Sequence, residues 1–282
     1  MSRRNNLDRM GVPAPSSDAP LQDNGSTGGD TLNFVVPTEF VELPSRGLYY
    51  PEGHPLHKKE EIEIRFMTAK EEDILTSRSL LQKGVAIDKV LQNIVVDKKV
   101  NINDLFIGDK NAVIIAARAS AYGPDYKTNI TCPQCGTKDD FQFDLENKTI
   151  SHGNTTGEHE IKNTSNGTFM VKLPKTGAHV EIRLLNGHDE KKLVGRGKDI
   201  SKNDFKLTEQ FKRFIVTVEG VDDRSLIERF INNMPAYDSR YLRGAYAEVM
   251  PNVDLTQSYE CSFCGYQQDM EVPFTSEFFW PK

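Results

Sequence analysis

The sequence predicts an α+β protein made of two similar αβ units from an internal duplication, each ending in a hairpin that carries a Cys-x-x-Cys knuckle. Three observations predict this fold. The four cysteines form two such motifs, the segments before the two motifs resemble one another in the same order, and 282 residues suffice for one large domain or two small ones. We expect the units to be joined through one zinc-ribbon-like site that contains all four cysteines.

The cysteine motifs are the strongest chemical signal in the sequence. Cys132 and Cys135 form the first pair, Cys261 and Cys264 form the second, and a glycine follows each pair. Strand-like alternation flanks both pairs, which favours inward-pointing thiolates over a redox motif that opens a helix. Because Zn²⁺ takes four ligands and each turn supplies two, we predict one structural zinc ion per chain. The alternative is that both pairs are free thiols or that the mature protein loses the metal.

Several segments before the cysteine motifs recur at nearly the spacing that separates the motifs. The matching pairs are Val41–Gly47 with Val171–Gly177, Glu63–Met67 with Glu181–Leu185, and Asp109 with Asp238. Their common order indicates duplication of one ancestral unit. The alternative is convergent strand and knuckle chemistry. The repeated aspartates adjoin predicted helices, so we expect them to be N-caps.

Local patterns predict three helices in the first unit. Thr68 and Glu71 form a capping box that begins the first helix. An apolar stripe begins a second helix at about Ile87, and a third helix runs from near Asp109 to the residue before Gly123.

In the second unit, residues 225–233 and 239–250 are predicted to be helical. The segment 214–218 has the propensity of a strand or of a helix end, and the sequence does not decide between them. Two polar segments of low apolar content, together with the two repeats, define the predicted domain boundaries. We predict a disordered N-terminal tail at 1–32, a first αβ repeat at 33–146, a polar linker at 147–168 and a second αβ repeat with an aromatic C-terminus at 169–282.

Composition and motifs disfavour several classes of function. The formal net charge of −6 disfavours a general nucleic-acid binder, and no run of 18 apolar residues predicts a membrane span. The first residues lead into no apolar stretch, so we expect no secretory signal. No catalytic motif or phosphate-binding glycine loop is present, and a zinc ion with four thiolates keeps no open position for water. We therefore expect a non-enzymatic protein without a small-molecule substrate.

An ordered set of motifs resembles the baseplate hub assembly proteins of T-even-like contractile-tailed bacteriophages. The set comprises Leu43–Gly47, Tyr49-Tyr50, Met67-Thr68, Glu71-Glu72, Asp104-Leu105, Gly108-Asp109, Arg118, Tyr122-Gly123, Tyr126, Cys132–Gly136, Cys261–Gly265 and Phe278–Pro281. The resemblance covers roughly residues 38–145 and 235–281. It implies a non-enzymatic part in building the central hub of the tail baseplate, either as a retained subunit or as an assembly factor that leaves.

The resemblance also implies partners and a location. The partners are other baseplate, hub or tail subunits, and the protein is expected in the host cytoplasm during assembly and then in the virion. Phe278, Phe279 and Trp280 are candidate partner anchors, because aromatic clusters often serve as interface anchors. The alternative is that these rings fold back onto their own core. The alternative function is a viral zinc-ribbon accessory protein that binds nucleic acid.

Overall fold

Helices and antiparallel strands follow one another in runs along the chain, which confirms the predicted α+β class. The computed structural model describes residues 35–196, 206–273 and 278–279. The chain divides into a segment Met1–Val35 and a unit Val36–Lys282, and the second of these is described below. The predicted tail at 1–32 lies outside the described residues.

The first half of the unit contains four strands and four helices. They are β1 (Thr38–Glu42), β2 (Glu61–Arg65), α1 (Ala69–Thr76), α2 (Arg78–Gln82), α3 (Ala86–Ile94), α4 (Ile107–Tyr122), β3 (Asp125–Thr131) and β4 (Lys138–Asp144). The three helices predicted for this half are confirmed by α1, α3 and α4. The α1 helix begins after Thr68, whose backbone N–H donates to Glu71 Oε2 at 3.0 Å, as the capping box requires.

The second half contains eight strands and four helices among its described residues. They are β5 (Thr149–Ser151), β6 (Ile161–Asn163), β7 (Thr168–Lys172), β8 (His179–Arg183), α5 (Gly187–Arg196), α6 (Lys206–Phe214), β9 (Ile215–Val218), α7 (Arg224–Asn233), α8 (Ala236–Val249), β10 (Asn252–Asp254), β11 (Gln257–Glu260) and β12 (Gln267–Met270). The undecided segment 214–218 therefore ends a helix at Phe214 and continues as a strand.

The segment 147–168, for which we expected a linker, contains two short strands. Ser151 and its neighbours in β5 pair with β10, while β6 forms the edge of a four-stranded antiparallel sheet in the order β6-β7-β8-β9. Ile161 in β6 is buried. Polar edge strands expose most of their side chains, so their composition is close to that of a linker and the pattern did not reveal them.

Within the described part of the chain, two groups of buried apolar side chains form the core. One group lies around the sheet β6-β7-β8-β9 with α6, α7 and α8, and the other lies around β1, β2, α3, α4, β3 and β4. The second group also contains Val253, Leu255, Tyr259 and Val272 from the last part of the chain. The C-terminal strands thus pack on the core of the first half, not on that of the half to which they belong in sequence.

The same hydrogen-bonded arrangement follows β2 and β8. The Arg65 guanidinium, at the end of β2, donates to both carboxylate oxygens of Glu71 at 2.7 and 3.0 Å. The Arg183 guanidinium, at the end of β8, donates to both oxygens of Asp189 at 2.8 and 3.0 Å. Each acidic residue lies in the first turn of the helix that follows the strand, so each bidentate pair fixes the direction in which the chain leaves the sheet.

The repeated aspartates do not cap helices, contrary to our prediction. Asp109 and Asp238 lie inside the first turns of α4 and α8 and are buried. Asp109 accepts hydrogen bonds from the backbone and hydroxyl of Ser45 at 2.9 and 2.6 Å, and Asp238 accepts from the backbone of Lys175 and Thr176 at 2.8 and 2.9 Å. The first-turn carboxylates therefore bind the loops that follow β1 and β7.

The Arg65–Glu71 pair predicts a specific acid sensitivity. Burial opposes ionisation of Glu71, but hydrogen bonds from Arg65 and Thr68 outweigh it and lower the pKa from 4.5 to about 2. A lowered pKa stabilises the fold fully above the ordinary value and loses that contribution as the pH falls. We expect the free energy of unfolding to fall by about 2 kcal/mol through this pair between about pH 5 and about pH 2. Urea denaturation of wild type and Glu71→Gln across this range measures the effect.

The neighbouring exposed Asp73 provides the control for this experiment. Asp73→Asn should retain the acid sensitivity of the wild type, because the Asp73 side chain takes no part in the pair. An equal fall in stability for wild type and Glu71→Gln would contradict the assignment.

Candidate metal centre

Each cysteine pair lies in the connection between two antiparallel strands. The first connection joins β3 to β4, and the second joins β11 to β12. In both, the glycine after the second cysteine donates its N–H to the carbonyl of the first cysteine at 2.9 Å. These glycines, Gly136 and Gly265, have φ values of 70° and 66°, a left-handed conformation that disfavours other residues. The turn geometry explains why a glycine follows each motif.

The four thiol sulfurs meet, as predicted, and lie within 4.8 Å of one another. Cys132 Sγ lies 3.7 Å from Cys264 Sγ, and Cys135 Sγ lies 3.8 Å from Cys261 Sγ. A disulfide bond measures about 2.05 Å, so these contacts are not covalent bonds. Four bonds of about 2.3 Å to a tetrahedral zinc ion place the sulfurs about 3.8 Å apart. The sulfur positions therefore fit a four-coordinate metal ion.

The electrostatics of the cluster also favour a cation. Burial opposes ionisation of Cys261, but hydrogen bonds from the backbone of Cys264 and Phe263 outweigh it and lower its pKa to about 6. The backbone of Tyr266 lowers the pKa of Cys264, but burial and the neighbouring thiols raise it to about 12. Ionisation of one thiol in the cluster therefore opposes ionisation of its neighbours. A cation among the sulfurs removes this conflict, since metal ligation deprotonates coordinating thiols.

Polar side chains that the motif search missed join the two connections. Asp139 in β4 accepts hydrogen bonds from the backbone N–H and the hydroxyl of Ser262, both at 2.9 Å. Gln257 in β11 exchanges two hydrogen bonds with the backbone of Asp144, at 2.6 and 3.0 Å. The two strand pairs are therefore held together at both ends of β4. No local signal reveals these contacts, because the partners lie more than 100 residues apart in the chain.

The C-terminal aromatic residues lie against the strands that carry the first cysteine pair. Phe278 and Phe279 are only 2% and 1% exposed, and the ring of Phe278 lies 5.0 Å from that of Tyr126. The Arg118 guanidinium donates to the carbonyl of Phe278 at 2.8 Å. The prediction of partner anchors is therefore corrected for these two residues, because their rings are already buried in their own core. Trp280 lies outside the described residues.

The fold and the four-thiol cluster define an α+β protein with a candidate structural metal centre. The chain matches the family described as T4 bacteriophage base plate protein over residues 41–280, and it belongs to that family. Comparisons with curated proteins and with solved structures give no match.

Membership in this family confirms the predicted resemblance to T4-like baseplate proteins. Baseplate proteins are components of phage tails and contact other baseplate proteins, and this structural family favours a non-enzymatic role. In the part of the chain that the structure describes, no helix is long and apolar enough to cross a bilayer.

The hydrogen bonds of Asp139 predict a matched pair of variants. We expect Asp139→Ala to lower the midpoint of thermal unfolding, because it leaves the Ser262 N–H and hydroxyl without their acceptor. Asp140→Ala should leave the midpoint unchanged, since Asp140 is exposed and the structure gives its side chain no such contact. Differential scanning calorimetry measures both. Equal midpoints for the two variants would show that Asp139 does not hold the connections together.

Proposed function

We propose that the protein is a non-enzymatic structural or assembly component of the central baseplate hub of a contractile phage tail, and that it acts through contacts with other hub or tail subunits. The family match over most of the chain carries this proposal. The motifs shared with hub assembly proteins support the hub in particular. The buried carboxylates also support a structural role, because Glu71, Asp109 and Asp238 each accept hydrogen bonds from their own chain.

The cysteine cluster binds one structural Zn²⁺ per chain in this proposal, with Cys132, Cys135, Cys261 and Cys264 as its ligands. Two observations support it: the sulfur spacing fits a zinc tetrahedron, and thiolate is a ligand that zinc prefers in closed structural sites. Bound zinc supplies charge neutralisation and a cross-link between strand pairs that are distant in sequence. The surrounding residues orient the sulfurs through Gly136, Gly265 and Asp139.

The third part of the proposal is that the chain arose by internal duplication. The two halves, 33–146 and 169–282, derive from one αβ unit that ends in a cysteine knuckle hairpin. The support comes from features that local strand chemistry does not require: the bidentate pairs after β2 and β8, and the buried aspartates in α4 and α8. Neither half holds four cysteines, so the metal site needs both.

The zinc site predicts the metal content and the stability of variants. Purified protein should contain one zinc ion per chain by elemental analysis. Cys264→Ser should release the zinc and destabilise both halves together, because the metal cross-links them. The exposed neighbour Gln134 gives the control, and Gln134→Ala should keep both zinc and stability. Two zinc ions per chain, or a folded Cys264→Ser protein with wild-type stability, would contradict a shared site.

The baseplate role predicts the phenotype of a phage that lacks the protein. A stop codon early in its coding sequence should prevent assembly of complete baseplates, and expression of the wild-type chain in the host should restore them. Electron microscopy of lysates and mass spectrometry of purified tails measure these outcomes. Detection in mature tails identifies a retained subunit, whereas detection in intermediates alone identifies an assembly factor. Normal tails without the protein, combined with a DNA gel shift at physiological salt, would instead favour the nucleic-acid-binding alternative.

A further inference from the structure

Among the residues that the structure describes, the strand β1 has one unpaired edge. Its one strand partner there is β2, and the N–H of Leu43, just after β1, donates to the carbonyl of Glu60 at 2.7 Å. Because the bonded side alternates along an antiparallel strand, Phe40 and Glu42 direct their peptide groups away from β2. These groups have no backbone partner among the described residues. Such an edge is a template for the addition of another strand.

A groove runs along this edge. Its volume is about 340 Å³, and its wall on one side is β1. Beyond β1, the charged residues Glu146 and Lys148 line part of the groove. The remaining lining side chains are small or apolar, namely Ala112, Ile115, Ala116 and Ala119 of α4 together with Ile150 and Val253. The alanine side chains are short, and the volume of the groove is sufficient for an apolar side chain of a partner that lies along β1.

Exposed apolar side chains continue the surface over the outer face of β1 and β2. Phe40 is 67% exposed and Val96 is 39% exposed, and both line a second concavity of about 580 Å³. Phe40 borders the groove as well. Scattered exposed apolar residues are common, but here the Phe40 ring lies between two concavities on a strand that has one unpaired edge. The arrangement suits a partner that covers both.

Carboxylates surround this surface. The acidic residues that line the two concavities are Glu39, Glu42, Glu60, Glu61, Glu63, Asp97 and Glu146, against the lysines Lys59 and Lys148. Among the described residues, no ion pair involves Glu60, Glu61 or Glu63. Glu39 Oε1 is buried beside the groove without a hydrogen-bond partner in the described chain. Two copies of this edge would place carboxylate against carboxylate, which disfavours self-association and favours a basic partner.

We propose that β1 is the docking edge for a basic, extended segment of another baseplate subunit. The segment adds a strand along Thr38–Glu42, places an apolar side chain in the groove beside Phe40 and sets lysine or arginine side chains against the surrounding carboxylates. The proposal rests on the proposed baseplate function, since it takes its partner from the same assembly. Backbone hydrogen bonds then supply affinity, while the charges select the partner.

Photocrosslinking of the full chain in assembling baseplates tests this surface. The chain carries p-benzoylphenylalanine in place of Phe40, in cells that also produce the other tail proteins of the phage. After irradiation, mass spectrometry identifies the crosslinked peptide. The same replacement at Tyr237, which is 57% exposed on α8, provides the matched control. We expect position 40 to crosslink to a lysine- or arginine-rich extended segment of a different subunit, and position 237 not to reach that segment.

Charge reversal supplies the second measurement. In the position-40 chain, Glu42→Lys with Glu61→Lys should lower the yield of that crosslink about tenfold, because both changes oppose a basic partner. Asp222→Lys with Glu160→Lys makes the same change of net charge at exposed residues elsewhere and should leave the yield unchanged.

The outcomes separate this proposal from the baseplate function. Incorporation of the position-40 chain into baseplates without a crosslink, or with a crosslink to a second copy of the chain, to a helix or to an acidic segment, would overturn the docking edge and leave the baseplate function intact. Equal yields in the two charge-reversal variants would overturn the charge selection. Absence of the wild-type chain from baseplates and from their intermediates would overturn the function and, with it, this proposal.

Discussion

Four thiols within 4.8 Å of one another do not all ionise unless a cation lies among them, because thiolate charges at such distances repel strongly in a partly buried site. The thiols come from positions up to 132 residues apart, so their convergence requires the chain to return to β3 and β4 after completing the second half. This return explains why β11 and β12 pack on the core of the first half. Convergence of the cysteines therefore constrains the path of the whole second half as well as the conformation of the two cysteine-bearing connections.

The buried Arg118 imposes a second constraint on the same region. Its side chain is 1% exposed, and its guanidinium donates to the carbonyls of Phe278 and Gly123 at 2.8 and 3.1 Å. The guanidinium carbon also lies 5.0 Å from the centre of the Tyr122 ring. Burial of a cation costs free energy that these acceptors and the ring offset. The position of Phe278 thus follows from α4, and its ring fills the core where a partner was expected.

Sequence patterns predicted the features that depend on contacts between neighbouring residues or on the number of ligands that a metal ion requires. The capping box at Thr68 locates α1 because its hydrogen bonds join neighbouring residues, and the meeting of the cysteines follows from the ligand count of a metal. The role of Asp109 was missed because an N-cap and a buried first-turn acceptor favour the same residue type. The bond from Ser262 to Asp139 joins residues 123 apart and leaves no periodic signal. Whether the Phe278 ring is buried in its own core or exposed to a partner depends on tertiary packing, which the local sequence does not reveal.

The helix α4 links these constraints. At its N-terminal end, Lys110 forms ion pairs with Asp88 of α3 at 2.9 Å and with Glu190 of α5 at 2.7 Å, so it connects the two halves through contacts other than the cysteines. Buried ion pairs contribute little net stability, but they specify how elements pack, since an unmatched partner is costly. The other end of α4 holds the C-terminal segment through Arg118, and its alanines form the floor beside β1. Because one helix contacts all three regions, its position determines how β1, the second half and the C-terminal segment pack together.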